Sequence, residues 1–380
     1  MTDGDDAAHS AAQSGADVLR SMSICLVLGS SEGGVGTHVR VLAARLVRLG
    51  VQVVVYGPAA THDLFDFAST GARVVPLPVN AGIRPLANRR SVALLRDLSG
   101  SADLVHAHGL RAGFVAVRAT RPGIPVVVTW HNAVLAGGPR RLLFAAIEKR
   151  IARGATLNRA VSSDLLARIH DLGGVGELGP IGATRLRDSM VPVPQTRNAI
   201  GAGDRPLVLA VGRLHPQKGF DLLVEAASQL AVRLPKPLVA IAGEGPMRRH
   251  LETRILASGA PVKLLGRRAD VAELLAAADV VVMPSRWEGS PLAAHEAMLA
   301  GRPVVATAVG GLPDLAAGGA LDLVPAGDAA ALAAAIARVL DDRSYAAGLA
   351  ERGARRALSW PSGEASADAV IARYREILTR

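Results

Sequence analysis

At 380 residues, and roughly 150 per domain, the chain points to two or three domains rather than one. Half of it is hydrophobic and a fifth is charged, which excludes wholesale disorder. Cys25 is the only cysteine, so a disulfide framework and cysteine-rich zinc sites are excluded too, and a reducing compartment fits. The net charge of +10 is uneven. Residues 1–200 hold 22 Lys and Arg against 14 Asp and Glu, or +8, and residues 201–380 hold 21 against 19, or +2. A basic first half suits an anionic partner, a phosphorylated substrate or a membrane surface. An arginine-rich composition is an equally plain reading, since 39 of the 43 basic residues are Arg. Nucleic acid is not expected as a partner, because aromatics make up only 3% and do not interleave with the basic segments.

Residues 1–20 carry Asp3, Asp5, Asp6 and Asp17 and no apolar stretch, and are read as a disordered leader, not a signal peptide. The longest apolar runs, such as 51–55 and 280–283, fall far short of the ~18–20 residues that span a bilayer. A soluble, cytoplasmic protein is expected. From Ser23 the chain alternates strands and helices. SICLVLG (23–29) is a buried strand, and a Gly-rich turn leads to a helix from Thr37 whose Val39, Leu42, Ala43, Leu46 and Leu49 share a face before Gly50 ends it. Strands follow at 51–56, 73–77, 103–108, 126–131 and 156–161, with helical segments between most of them. Residues 173–205 are rich in Gly and Pro without a period and are read as the interdomain region. The alternation then resumes, with strands at 207–212, 238–243, 262–266, 279–284 and 303–307 and helices over 219–233, 246–258, 270–278 and from Pro291. Alanine-rich helices fill 328–358, Trp360-Pro361 breaks the run, and a last helix covers 364–379. Near-continuous Val, Ile and Leu strands joined by helices argue for parallel sheets covered on both faces, hence two successive doubly wound α/β domains.

In such sheets ligands bind beyond the carboxyl ends of the strands, so the residues just after strands carry the chemistry. The richest stretch runs from Ser285 to Met298. Ser290 is expected as an N-cap with Pro291 in the first helical turn, which would make an anion seat of the helix N-terminus. Glu288 just before it and Glu296 within the helix suit sugar or ribose hydroxyls, which carboxylates bind well. A capped helix bearing a solvated acid is the plainer alternative. The second stretch, VGRLHPQKG, places Arg213 and Lys218 after a strand, and only four lysines exist in the chain. Such a pair can clamp a diphosphate, whose charge grows as it leaves. A third, SSEGGVGT, brings Gly34 and Gly36 to the start of the first helix. It has neither P-loop nor GxGxxG spacing, and backbone approach by a ligand or tight strand-helix packing would explain it equally. Of the strand-end histidines, His106 and His108 could offer a zinc pair, but no third ligand stands at metal-site spacing. Strand alternation is taken to turn at most one of the two toward a ligand. His131 is the better-placed substrate contact.

These residues resemble glycosyltransferase family 4. GGVGTH, VVVTWHN, VGRLHPQKG, IAGEGP and the long run from LLGRRAD to PVVAT, followed by VGGLPD, carry the likeness over about residues 23–380, most specifically in the second half. The resemblance implies the GT-B fold, two Rossmann-like doubly wound parallel-sheet domains facing across a cleft. The domains would then be a 21–195 acceptor domain, a 196–360 nucleotide-sugar donor domain, and a 361–380 helix returning to the first. It implies that Glu288 contacts the transferred sugar and Glu296 the ribose. Arg213 and Lys218 would hold the diphosphate with the backbone N–H groups of Gly289, Ser290 and Leu292. Gly34 and Gly36 would lie by the diphosphate and acceptor, and His131 beside the sugar. Glu244 and the Arg267-Arg268 loop would border the base. It also implies a retaining transfer from a UDP- or GDP-sugar with no metal and no cofactor, by front-face displacement in which the leaving phosphate takes the acceptor's proton. A covalent intermediate on Glu288 is the less favoured version.

One departure stands out. The family's Pro-Asn-Gly-Val-Asp type turn is missing near LGPIGATR (178–185), which leaves the hinge geometry open. The acceptor is expected to be a glycan or a lipid-linked or phosphorylated hydroxyl compound. The basic stretch 139–153, with Leu143, Ile147 and Ile151 alternating with Lys and Arg, suits an anionic membrane or an ordinary packed helix. A nucleotide-sugar epimerase, a phosphorylase-like enzyme needing a pyridoxal lysine, and a silent sugar-nucleotide-binding protein are the competing readings.

Overall fold

Two parallel sheets account for nearly all the apolar strand runs in this computed structural model, which describes residues 19–31, 33–79, 85–133, 138–184 and 186–379. The chain divides into a first unit, Met1–Ile181 with Gly363–Arg380, and a second, Gly182–Ser362. In the first unit β1 (Ser23–Leu28), β2 (Gln52–Gly57), β3 (Arg73–Pro76), β4 (Leu104–His108), β5 (Val126–Trp130), β6 (Leu157–Ala160) and β7 (Gly176–Leu178) lie in the order β3-β2-β1-β4-β5-β6-β7. All neighbours are parallel. Between these strands run α1 (Gly34–Arg48), α2 (Ala59–Phe65), α3 (Pro85–Leu98), α4 (Leu110–Ala119), α5 (Pro139–Gly154) and α6 (Ser163–Asp171).

The second unit orders β8 (Leu207–Val211), β9 (Leu238–Ala242), β10 (Val262–Gly266), β11 (Val280–Met283), β12 (Val304–Thr307) and β13 (Asp322–Val324) as β10-β9-β8-β11-β12-β13, again parallel. Its helices are α7 (Val193–Ile200), α8 (Phe220–Leu230), α9 (Arg248–Ser258), α10 (Val271–Ala277), α11 (Leu292–Leu299), α12 (Leu312–Leu315), α13 (Ala329–Asp341) and α14 (Arg343–Ser359). The strand order reverses between β1 and β4 in one sheet and between β8 and β11 in the other. Loops leaving those strands diverge there; Gly34 and Gly36 follow β1, Arg213 and Lys218 follow β8 and Glu288 follows β11, whereas His131 follows β5, Glu244 β9 and Arg267 β10.

Strand side chains alternate between faces, and both faces are dry. Leu207 and Leu209 pack with Ala240, Met283 and Ala294 on one side, while Val208 and Ala210 pack with Leu223, Ile241 and Ile336 on the other. In the first unit α1 buries Val39, Leu42, Ala43 and Leu46, and starts at Gly34, three residues before the expected Thr37. The final helix, α15 (Gly363–Leu378), adds Ala367, Val370, Ile371 and Tyr374 to the same core. Outside it, the Arg45 guanidinium donates to both Asp368 oxygens at 2.6 and 2.5 Å.

Several expectations change. The proposed leader lies outside the described residues except for Leu19 and Arg20, and Leu19 is fully buried with Ile24 and Val53. The division between units falls after Ile181 and after Ser362, not at 195/196 and 360/361, because the stretch after Gly182 packs onto the second unit. There the Ala183 N–H donates to His295 Nδ1 at 2.9 Å, and Arg187 pairs with buried Glu273 at 2.7 Å. The aperiodic stretch expected between the domains, 173–205, contains β7 and α7. Three residues of strand carry no readable period, and α7 is short and ends on a left-handed Gly201. β13, also three residues long, has no readable period either.

Asn158 on β6 ties this frame together. Its Oδ1 accepts the Trp130 indole N–H at 2.9 Å, and its amide donates to Ala152 O and Val175 O, each at 2.9 Å. Asn158→Leu would strand the buried Trp130 N–H and the Ala152 carbonyl, each costing ~1–3 kcal/mol, whereas Val175 O keeps the Asn158 backbone N–H at 3.1 Å. The expected result is a loss of at least about 2 kcal/mol in urea denaturation; a smaller change would mean that water replaces the amide.

Candidate active site

In the second unit the loops after β8, β9, β10 and β11 gather. The Leu214 N–H donates to Glu244 O at 2.9 Å and the Gly243 N–H to Gly266 O at 2.8 Å. These bonds bring together the loops that carry Arg213, Lys218, Glu244 and Arg267. The Arg286 N–H donates to Gln217 O at 2.8 Å, and the Gln217 amide donates to Trp287 O at 2.9 Å, locking the β11 loop against the lysine loop. Glu288 is buried at 4% exposure. Its Oε1 accepts from Lys218 Nζ at 2.7 Å and from Ser285 Oγ at 2.5 Å. Both bonds land on one oxygen. Oε2 has no partner among the described residues.

Gly310 braces this arrangement from behind. Its φ is +54°, and a Cβ there would sit 1.8 Å from the Glu288 carbonyl oxygen, which accepts the Gly311 N–H at 2.9 Å. Gly310→Ala is expected to lower the melting temperature and to shift Glu288 out of reach of Lys218, because an L side chain there meets both left-handed strain and a backbone clash. Thermal denaturation and nucleotide titration of the variant measure the two effects.

Glu296 lines a cavity of about 230 Å³ with Arg187, Ser189, Leu275, Leu299 and Arg302. Burial pushes its carboxyl up to about 7, since desolvation opposes the charge. Glu244 is exposed and pairs with Arg248, and Arg267 is exposed, next to the Arg268–Asp270 pair at 2.5 Å. Arg213 is exposed. Gly289 is buried and Ser290 half-buried. The cap differs from expectation. α11 starts at Leu292, with Pro291 at the cap position at φ −80°, ψ 68° and no side-chain cap bond. The Leu292 N–H is taken by Ser290 O at 2.9 Å, because the proline's non-helical ψ folds the chain back on itself.

The first unit holds the remaining residues. Gly34 opens α1, and Gly36 is buried where a Cβ would meet the Phe65 ring at 2.2 Å, so for Gly36 tight packing accounts for the glycine. His131, at the end of β5, is 6% exposed, with Nε2 lying 3.2 Å from His108 Nδ1. The expectation that His106 and His108 face opposite ways is wrong: residues two apart on a strand share a face, and their rings lie 4.1 Å apart. His38 of α1 completes the group, 5.7 Å from the His108 ring and 6.2 Å from that of His131. Burial lowers all four histidines, His131 to about 3 and His38 to about 4. Among the described residues no three His, Cys, Asp or Glu side chains are placed to hold a metal ion. Ser285, Gln217, His38 and Tyr374 were not singled out from sequence. Ser285, Gln217 and His38 lie within the family-like motifs, but their partners are set by turns no spacing reveals.

Comparison with known proteins agrees with this layout. Residues 33–177 match the family model described as a glycosyl transferase 4-like domain, and residues 205–342 match the model for glycosyl transferases group 1. A D-inositol 3-phosphate glycosyltransferase of Frankia alni is 32% identical, over 91% of this chain and 95% of its own. A phosphatidyl-myo-inositol mannosyltransferase of Mycolicibacterium smegmatis is 28% identical, over 89% of each. Among solved structures, Anabaena Alr3699/HepE in complex with UDP-glucose superposes with a TM-score of 0.77 at 23% identity, over 93% of this chain and 99% of that one. With two doubly wound parallel-sheet units of the GT-B fold and family models covering both, the chain belongs to the group 1 glycosyltransferases of family 4.

Proposed function

We propose that the protein transfers a hexose or N-acetylhexosamine from a UDP- or GDP-sugar to a hydroxyl acceptor, with retention of configuration and without a metal. The observation that carries the reading is Glu288, whose Oε1 is occupied by Lys218 and Ser285 while Oε2 is left for a sugar hydroxyl. Glu296, on the next helix, is the ribose ligand. Arg213 and Lys218 offset the charge that grows on the departing diphosphate. The acceptor oxygen bonds to the anomeric carbon on the face from which the diphosphate leaves, and its proton passes to the leaving phosphate oxygen. Uridine is the first base to try, given the UDP-glucose bound by the Anabaena structure. The names of the Frankia and Mycolicibacterium relatives, with the +8 charge of residues 1–200, favour a phosphorylated or lipid-linked polyol as acceptor.

Calorimetric titration with UDP, GDP and ADP tests the donor reading, on the wild type and on Glu296→Ala. One nucleotide should bind, and the substitution should weaken it. If none binds to the wild type, the donor-site assignment fails. The same reading extends to an anionic membrane surface under α5. Leu142 and Leu143 are exposed there, beside exposed Arg141, Lys149 and Arg150, although Ile151 is buried in the unit. No helix among the described residues is long and apolar enough to cross a membrane. Flotation should show salt-sensitive binding to vesicles containing anionic lipid and none to neutral ones; absence of binding to both ends the membrane reading.

A further inference from the structure

We propose that His108 holds His131 in a single neutral tautomer, so that His131 presents an Nδ1–H donor to a ligand oxygen and keeps no basic nitrogen free. The contact between His108 Nδ1 and His131 Nε2, at 3.2 Å, needs one donor and one acceptor. If His131 donated, the remaining proton of neutral His108 would sit on its Nε2. That nitrogen is buried with no partner, and a buried N–H left unbonded is rarely tolerated. If His108 donates from Nδ1, its Nε2 is a bare lone pair, the lesser omission. His131 Nε2 then accepts, and its proton must lie on Nδ1.

Nδ1 of His131 has no partner among the described residues and is not one of the sealed ring nitrogens. It is the edge of the ring left for a ligand. The surroundings keep the pair uncharged. His38 faces both rings from α1, and the His106 ring lies 4.1 Å from that of His108, tilted by 36°. Arg159 adds its charge nearby from β6, acting on His38 and His106. Burial opposes a proton on any of them.

His106 cannot exchange roles with His108, because both its nitrogens are engaged. Nδ1 meets the Tyr374 hydroxyl of α15 at 2.5 Å, and Nε2 meets Thr129 Oγ1 at 2.7 Å. His108 is therefore a positioning residue, held by a ring that α15 fixes within the same unit. The ligand role of the donor rests on the glycosyltransferase reading above; the tautomer itself does not. In that reading His131 hydrogen-bonds an oxygen of the sugar and takes no proton from the acceptor, in keeping with proton transfer to the leaving phosphate.

The test is long-range ¹H–¹⁵N correlation on the full-length protein labelled with ¹⁵N-histidine, with His131 assigned by the loss of its signals in His131→Asn. The expected spectrum shows His131 as the Nδ1–H tautomer, unchanged from pH 5.5 to 8. In His108→Phe that pattern should give way to a mixture of tautomers. His108→Asn, whose side-chain N–H can stand where Nδ1–H stood, should restore it. An Nε2–H tautomer in the wild type, a doubly protonated His131 above pH 6, or an unaltered pattern in His108→Phe overturns the proposal. If His108→Phe does not fold, the wild-type tautomer alone decides. UDP added to the same sample separates the two claims: a correct tautomer without nucleotide binding leaves this inference standing and removes the donor reading.

Discussion

Lys218→Met is expected to lower turnover of the nucleotide-sugar by about 10²–10³-fold, the usual loss when one preorganised charge contact is removed. It should also destabilise the second unit, for a different reason. Lys218 Nζ lies 2.7 Å from Glu288 Oε1, with the carboxylate side chain 5% exposed and the lysine 25%. Removing one partner of a buried pair leaves an uncompensated charge, at a typical cost of about 3–5 kcal/mol, and the partial exposure of the lysine places the loss near the lower figure. Ser285 still donates to Glu288, but a hydroxyl cannot replace the charge. The double variant Lys218→Met/Glu288→Gln separates the two effects. With no charge left to bury, stability should largely return, while turnover stays low because both ligand contacts are gone. Urea denaturation and single-turnover assays of the three variants make the comparison. A Lys218→Met protein as stable as the wild type would falsify the claim that the pair is structurally needed.

Glu296→Gln should weaken nucleotide binding roughly 10- to 100-fold, since hydrogen bonds to a charged group contribute ~1.5–3 kcal/mol. The pH dependence is the sharper signature. Burial raises the Glu296 carboxyl from 4.5 to about 7, whereas ribose hydroxyls donate best to the carboxylate. Binding therefore draws a proton off the site. In the wild type, affinity should rise from pH 6 to pH 8 and level off above about 7. Near neutrality, calorimetry in two buffers of different ionisation enthalpy should report proton release. In the Gln variant both signals should vanish. The stability linkage has the opposite sense. The folded protein keeps this proton up to about 7 and the unfolded chain only to 4.5. The contribution of Glu296 to stability is thus full below 4.5 and declines as pH rises through about 7. A pH-independent affinity in the wild type would mean that Glu296 is not the ribose ligand.

The strands were legible because β1, β8 and β11 are buried on both faces and read as near-continuous apolar runs, SICLVL, LVLAV and VVVM. The spacing of Glu288 and Glu296 was legible because both fall within one loop-helix unit, whose local geometry the intervening residues set. β7 and α7 were not legible, because three residues and eight residues are too few to establish a period. Their order comes from what they pair with, as when the Arg159 guanidinium meets Glu177 across the β6–β7 pair. The misread pair His106 and His108 had its answer in the sequence, since a separation of two means a shared face.

The amino-acid sequence alone determined the doubly wound architecture, the family, and the identity of the charged residues at the strand ends, because periodicity and short-range spacing are local properties of the chain. Only the tertiary structure decided that Ser285 and Lys218 converge on one oxygen of Glu288, and that Glu296 is desolvated enough to hold its proton near neutrality. It likewise decided that Tyr374, 268 residues from His106, ends the row of rings leading to His131. Desolvation and contacts of that separation depend on which distant segments the folded cores bring together, and no spacing along the chain encodes them.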